Sequence, residues 1–220
     1  MSERRLLSSA GERPEPAPSD NSSLQTENFK LVISYEGTEY HGWQRQPGKI
    51  TIQALIENAL QRLTAQTIKL QAAGRTDAGV HAIGQVASFR AVSHLKECDF
   101  LRALNALLPP DIRIMKVARV PWDFQARKSA WSKIYRYRIK TSAILSPFDN
   151  RYVFHYPYPL NKEAMRVAAT YFEREDDFTA FSSGYYPYPV RHVYHSALEE
   201  TEEELVFTIE ANGFLRHMVR

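Results

Sequence analysis

An α+β fold is what this chain's sequence predicts, and three observations predict it. Short β-rich alternating segments interleave with segments whose apolar residues recur at helical spacing. The order strand, helix, strand, loop, strand, helix, strand runs to Val120, breaks at Pro121-Trp122-Asp123, and then restarts. Hydrophobic residues make up 44% of the 220, enough for one large core or two small ones.

Residues 1–28 read as a disordered N-terminal tail rich in Pro, Ser and Glu. The Arg4-Arg5 pair does not make it a targeting signal: no apolar core follows, and Glu3, Glu12 and Glu15 break the acid-poor rule of transit peptides. A first α+β unit is assigned to residues 29–123. Phe29 to Tyr35 alternates and is β-rich, a strand. Ile52, Leu55, Ile56, Ala59, Leu60 and Leu63 form one face of a helix that follows Thr51. Ile68 to Ala73 and Gln85 to Ala91 read as strands flanking a loop. Leu101, Leu104, Leu107 and Leu108 mark a second helix, with Asp99 as its N-cap and Pro109-Pro110 ending it. Ile112 to Val120 completes a split βαβ arrangement.

A second unit is assigned to residues 124–220. Ser132 to Lys140 is a strand, and Asn161 caps a helix whose apolar side holds Met165, Ala168, Ala169 and Phe172. His192 to Leu198 and Glu204 to Glu210 form a hairpin across an acidic turn. Phe214, Leu215, Met218 and Val219 predict the start of a helix or a buried turn that reaches Arg220 without a closing signal, so this unit is expected to be truncated. No repeat of 20–50 residues is visible. Tyr152 to Pro159 and Tyr185 to Pro189 read as rigid surface loops with partly buried rings.

The formal charge is +3, and because residues 1–28 carry −2 the remainder carries +5, a mild bias compatible with nucleic acid. The one cysteine, Cys98, excludes an intramolecular disulfide and a Cys-based metal site. It fits a reducing cytoplasm and reads as a small buried apolar residue. No apolar run has the length of a membrane span.

The chemistry concentrates in Gly74-Arg75-Thr76-Asp77-Ala78-Gly79-Val80-His81-Ala82. Asp77 lies between two glycines that free the backbone to turn, with Arg75 two residues earlier. An acid on a strand-end turn beside a base stays ionised and faces outward, as a carboxylate nucleophile or charge stabiliser must. A bare G-x-x-D-x-G is more often an Asx turn. The full string resembles the catalytic-aspartate signature of the tRNA pseudouridine synthase A (TruA) family. Three further segments resemble that family's motifs in order: Tyr35 to Gln46 (with Gly42-Trp43-Gln44-Arg45-Gln46), Phe124-Gln125-Ala126-Arg127 with Lys133 to Ile139, and Gly213 to Arg220. Together they span residues 29 to 220.

The resemblance implies a pseudouridine synthase-like fold: two similar α+β subdomains with antiparallel or mixed sheets flanking a central RNA-binding cleft. It implies isomerisation of uridine to pseudouridine at positions 38, 39 and 40 of the tRNA anticodon stem-loop, by a cytoplasmic homodimer. The reaction exchanges an N1 for a C5 link to the ribose with no net redox change and no group donor, so no cofactor and no metal is expected. Three roles fit the carboxylate: attack on C6 of the base, attack on C1′, or promotion of elimination. By the resemblance Asp77 is the catalytic aspartate, the nucleophile, Arg220 pairs with it and keeps it anionic, and Tyr135 is the tyrosine against the base, leaving Tyr137 to packing. Arg75 contacts substrate. His81 is expected to fix the loop by hydrogen bonds, and Arg45, Arg127, Lys133 and Arg136 to meet RNA. The run Glu199 to Glu204 should point away from RNA. The alternatives are a non-catalytic RNA-binding or tRNA-folding protein, and a sister synthase acting at other uridines.

Overall fold

The computed structural model describes residues 25–201 and 204–219. Two sheets carry it. In the first, β1 (Thr26–Tyr35), β2 (Gln71–Ala72), β3 (Ala82–Val92) and β4 (Ile112–Arg119) lie in the order β2-β3-β1-β4, every neighbour antiparallel. Helices α1 (Ile52–Thr64) and α2 (Glu97–Leu107) complete the split βαβ unit the sequence predicts. The alternation explains the packing: Phe29, Leu31, Ile33 and Tyr35 point to one face of β1 and meet Phe89 and Ala87 of β3, Ile56 and Leu60 of α1, and Phe100 and Leu104 of α2 in one buried core. Phe29 stacks on Phe89 at 5.1 Å.

The second sheet is mixed. Strands β5 (Lys133–Lys140), β6 (Phe154–His155), β7 (Glu175–Asp177), β8 (Val190–Glu200) and β9 (Leu205–Ala211) lie in the order β6-β5-β9-β8-β7, with only β5 and β6 parallel. Helix α3 (Lys162–Thr170) begins at Asn161, whose side chain accepts the Ala164 N–H at 3.0 Å, as the sequence predicts. Met165, Ala168, Ala169 and Phe172 of this helix segment face Tyr137, Ile139, Leu198 and Phe207 across an open apolar hollow of about 390 Å³. Among the described residues no helix is long and apolar enough to cross a membrane.

Several expectations need correction. The expected tail lies largely outside the described residues, but its boundary is wrong: β1 starts at Thr26, and buried Asn28 donates to the carbonyls of Pro121 and Phe124 at 2.8 and 3.0 Å. The strand over 68–73 shrinks to Gln71–Ala72, because only those residues pair with β3. Lys96, not Asp99, is the N-cap of α2; Asp99 is three residues inside and its carboxylate accepts the Lys96 N–H at 3.2 Å. Cys98 is exposed on the outer side of that helix rather than buried. Of the helix and the buried turn expected near the end of the chain, residues 216–219 take the turn, with Leu215 and Met218 buried. Tyr185 and Tyr188 point into solvent, 92% and 83% exposed, while Tyr186 between them turns inward.

Candidate active site

The loop carrying Asp77 joins β2 to β3 and is held from several sides. Gln85 of β3 donates its amide to the Gly74 carbonyl at 2.8 Å. The Trp43 N–H donates to the Thr76 carbonyl at 3.0 Å, and the Tyr35 hydroxyl bonds Thr76 Oγ1 at 2.8 Å. Burial pushes the Tyr35 phenol up to about 12, so it stays a neutral hydrogen-bonding group. The segment from Tyr35 to Gln46 is the bed of the loop, and two of its glycines allow the close approach. A Cβ at Gly37 would stand 2.1 Å from the Val80 carbonyl oxygen, and one at Gly42 would stand 2.6 Å from that of Thr76, at a φ of +79°. Trp43, 1% exposed, anchors this bed in the first core.

His81 closes the loop. The Gly37 N–H donates to Nδ1 at 3.0 Å, and Nε2 faces the Arg151 carbonyl oxygen at 2.8 Å, an arrangement that puts the donor on Nε2. Glu36 Oε1 also lies 3.2 Å from Nδ1, but the Gly37 N–H leaves no room for a proton there. The expected loop-fixing role is what these bonds provide.

Asp77 opens onto a cleft of about 1910 Å³ between the two sheets, well above the size of a metabolite pocket. Its side chain is 48% exposed. Eight Lys and Arg residues line the cleft against two carboxylates, Glu57 and Asp77. Glu57 is engaged by Arg45 at 2.9 Å, by Gln53 at 2.9 Å and by the Leu70 N–H at 3.0 Å. Asp77 is therefore the one cleft carboxylate without a Lys or Arg partner among the described residues. Tyr135 lies close enough to feel its charge: burial first, then Asp77, raises the Tyr135 phenol.

The remaining expected residues are distributed as follows. Tyr135 is half-buried and meets Phe214 edge-on at 5.0 Å. Tyr137, expected in the packing, is 40% exposed: it reaches the rim of both the cleft and the apolar hollow, because the sheet face it shares with Tyr135 is not covered along its whole length. Arg75 is exposed on the cleft wall with no acidic partner among the described residues. Arg45, Arg127, Lys133 and Arg136 all line the cleft, the Arg45 guanidinium bonding Glu57 and, at 3.2 Å, Asn58. Burial, then Arg127 and Arg191, lowers the Lys133 ammonium. Arg220 lies outside the described residues. Glu199, Glu200 and Glu204 are absent from the cleft wall; Glu200 pairs with Lys162 and Arg166, and Glu204 with Arg138.

One neighbour of Asp77 was missed from sequence. His217 Nε2 stands 3.6 Å from Asp77 Oδ2, and Nδ1 is 2.7 Å from Ser183 Oγ. The available signal was its place in Arg216-His217-Met218-Val219, within the late motif.

These features define a class: an α+β protein of two sheets whose wide, cation-lined groove holds one exposed acid on a glycine-bedded loop. Comparison with known proteins makes the class specific. The profile of the tRNA pseudouridine synthase family matches residues 31–127 and 168–220. The chain is 40% identical over 197 residues to the tRNA pseudouridine synthase A of Solibacter usitatus, covering 87% of this chain and 82% of that protein. It is 42% identical over 195 residues to that of Geotalea daltonii (88% and 80% covered) and 43% identical over 195 residues to that of Thermosipho melanesiensis (87% and 80% covered). The chain belongs to the tRNA pseudouridine synthase family.

Proposed function

We propose that this protein isomerises uridine to pseudouridine in tRNA, at positions 38, 39 and 40 of the anticodon stem-loop, with Asp77 as the essential carboxylate. The observation that carries the reading is Asp77 itself: an exposed acid, unpaired by Lys or Arg among the described residues, in a groove where cations outnumber carboxylates eight to two. Such a groove suits a polyanion, and its volume suits a stem rather than a free nucleoside. A uridine within a stem must leave the stack to meet Asp77. The half-buried ring of Tyr135 then serves as the surface against the base, and Arg75 fills the gap or clamps a phosphate. Arg220 is the proposed ion-pair partner of Asp77. The protein acts in the cytoplasm as a homodimer, both subunits touching one tRNA, and needs no cofactor.

The test is pseudouridine mapping on an unmodified tRNA after incubation with the protein and with Asp77→Asn. The wild type should form pseudouridine at 38–40; Asp77→Asn should bind the same tRNA with a similar Kd and form none. Turnover by Asp77→Asn would remove Asp77 from the chemistry. Binding without turnover by the wild type would favour a tRNA-binding or tRNA-folding role, and product at other uridines would favour a sister synthase.

A further inference from the structure

We infer that His217 is the positioning residue of Asp77, and that Ser183 fixes the tautomer that lets it act; this rests on the reading of Asp77 as the essential carboxylate. The backbone at His217 has a φ of +64°, a left-handed conformation that disfavours side chains other than glycine and that collects at functional sites. The segment around it is built to hold that conformation. Leu215 and Met218 on either side are buried in the second core. The Arg216 N–H donates to the Tyr186 hydroxyl at 3.1 Å, and the Ser183 N–H donates to the Arg216 carbonyl at 3.2 Å. With the chain pinned on both edges, the imidazole projects toward the Asp77 loop, 140 positions earlier in the sequence.

The ring's two nitrogens have different partners. The Ser183 hydroxyl lies 2.7 Å from Nδ1; with the hydroxyl as donor, the tautomer that carries its proton on Nε2 is the one selected. That N–H faces Asp77 Oδ2 at 3.6 Å. The distance is too long for a hydrogen bond, and contacts of this kind tighten when substrate fills a site. A donor on Oδ2 orients the carboxylate and leaves Oδ1, which has no partner among the described residues, to face the reacting nucleotide. The arrangement follows the way a second hydrogen bond fixes the tautomer and direction of a histidine that serves a reactive group.

Single-turnover and steady-state kinetics on tRNA test this with four variants. His217→Gly removes the ring and also relieves the positive φ, so it should fold with an unchanged or higher Tm. Its kcat should fall about 10–100-fold, the range for loss of such a supporting contact, with KM for tRNA within about twofold of wild type. His217→Gln, which keeps an N–H at similar reach, should recover most of that loss, and Ser183→Ala should fall between wild type and His217→Gly. The inference is overturned by a wild-type kcat in His217→Gly, by a loss confined to KM, or by a Gln variant no better than Gly. Asp77→Asn separates the two levels. If it is silent while His217→Gly runs at the wild-type rate, the Asp77 reading stands and this inference falls; if Asp77→Asn turns over, the Asp77 reading falls first.

Discussion

At Gly42 the geometry of the Asp77 loop depends on a missing methyl group. The residue has φ +79°, and a Cβ there would stand 2.6 Å from the Thr76 carbonyl, next to Asp77. Gly48 has a similar φ of +67° with nothing within 4 Å, so it isolates the torsional part. Gly48→Ala should cost about 1–2 kcal/mol. Gly42→Ala adds a backbone clash, should cost about 3 kcal/mol or more, and should abolish turnover by displacing Asp77. Urea unfolding of the two variants measures the difference, and equal losses would mean that the contact with Thr76 relaxes freely. The strand tyrosines give a second comparison. Tyr135 packs against Phe214 and into the second core, while Tyr137 is 40% exposed. Tyr135→Ala should therefore lose about 2–3 kcal/mol, below the roughly 3–5 kcal/mol of a fully buried ring, and Tyr137→Ala about 1 kcal/mol. Tyr135→Phe keeps the ring; full turnover in that variant would restrict the tyrosine's role to stacking. The opposite order of stabilities would show that the β5 face is covered where the structure leaves it open.

Among elements, the segment between β5 and β6 does more than connect them. It returns to the first sheet, where the Arg151 carbonyl accepts the His81 Nε2–H, the Arg151 guanidinium meets Glu39 at 3.2 Å, and the Tyr152 ring lies 5.4 Å from the His81 ring. The exposed ion pairs of Arg151 contribute little, so Arg151→Ala, which keeps the carbonyl, should change stability by less than about 1 kcal/mol. His81→Ala leaves the Gly37 N–H and the Arg151 carbonyl without their partner and should cost about 2 kcal/mol, with a fall in kcat as the Asp77 loop loosens. A larger loss in Arg151→Ala would place the energy in the charges instead. This strap also marks the limit of what sequence conveys. The helices, most strands and the Asp77 loop were legible because period, caps and turn residues are local properties. The His81 to Arg151 bond spans 70 residues, and Ser183 to His217 spans 34. No local pattern encodes such pairings. The burial of Cys98 and of Tyr137 was misjudged for a related reason: residue type sets a tendency to be buried, but which face receives a neighbour is decided by tertiary packing.

For the whole molecule, a formal charge of +3 understates how the charge is arranged. Acids such as Glu200 and Glu204 are neutralised by Lys162, Arg166 and Arg138 away from the groove, while the groove keeps its excess of cations. Such a distribution focuses positive potential where a polyanion would lie and makes binding strongly salt-dependent. Lys133 is the sharpest probe. Its stem rests against Gly74, 3.3 Å from where a Cβ would be, and burial together with Arg127 and Arg191 disfavours its charged form. A phosphate beside it would offset the repulsion from Arg127 and Arg191. Plotting log K for tRNA against log salt should give a steep line for the wild type, with a slope shallower by about 1 for Lys133→Ala. Arg102 in α2, which does not line the groove, is the control: Arg102→Ala should leave the slope unchanged. If Lys133→Ala keeps the wild-type slope, or if Arg102→Ala shifts it equally, the phosphates follow a path over the protein other than this groove.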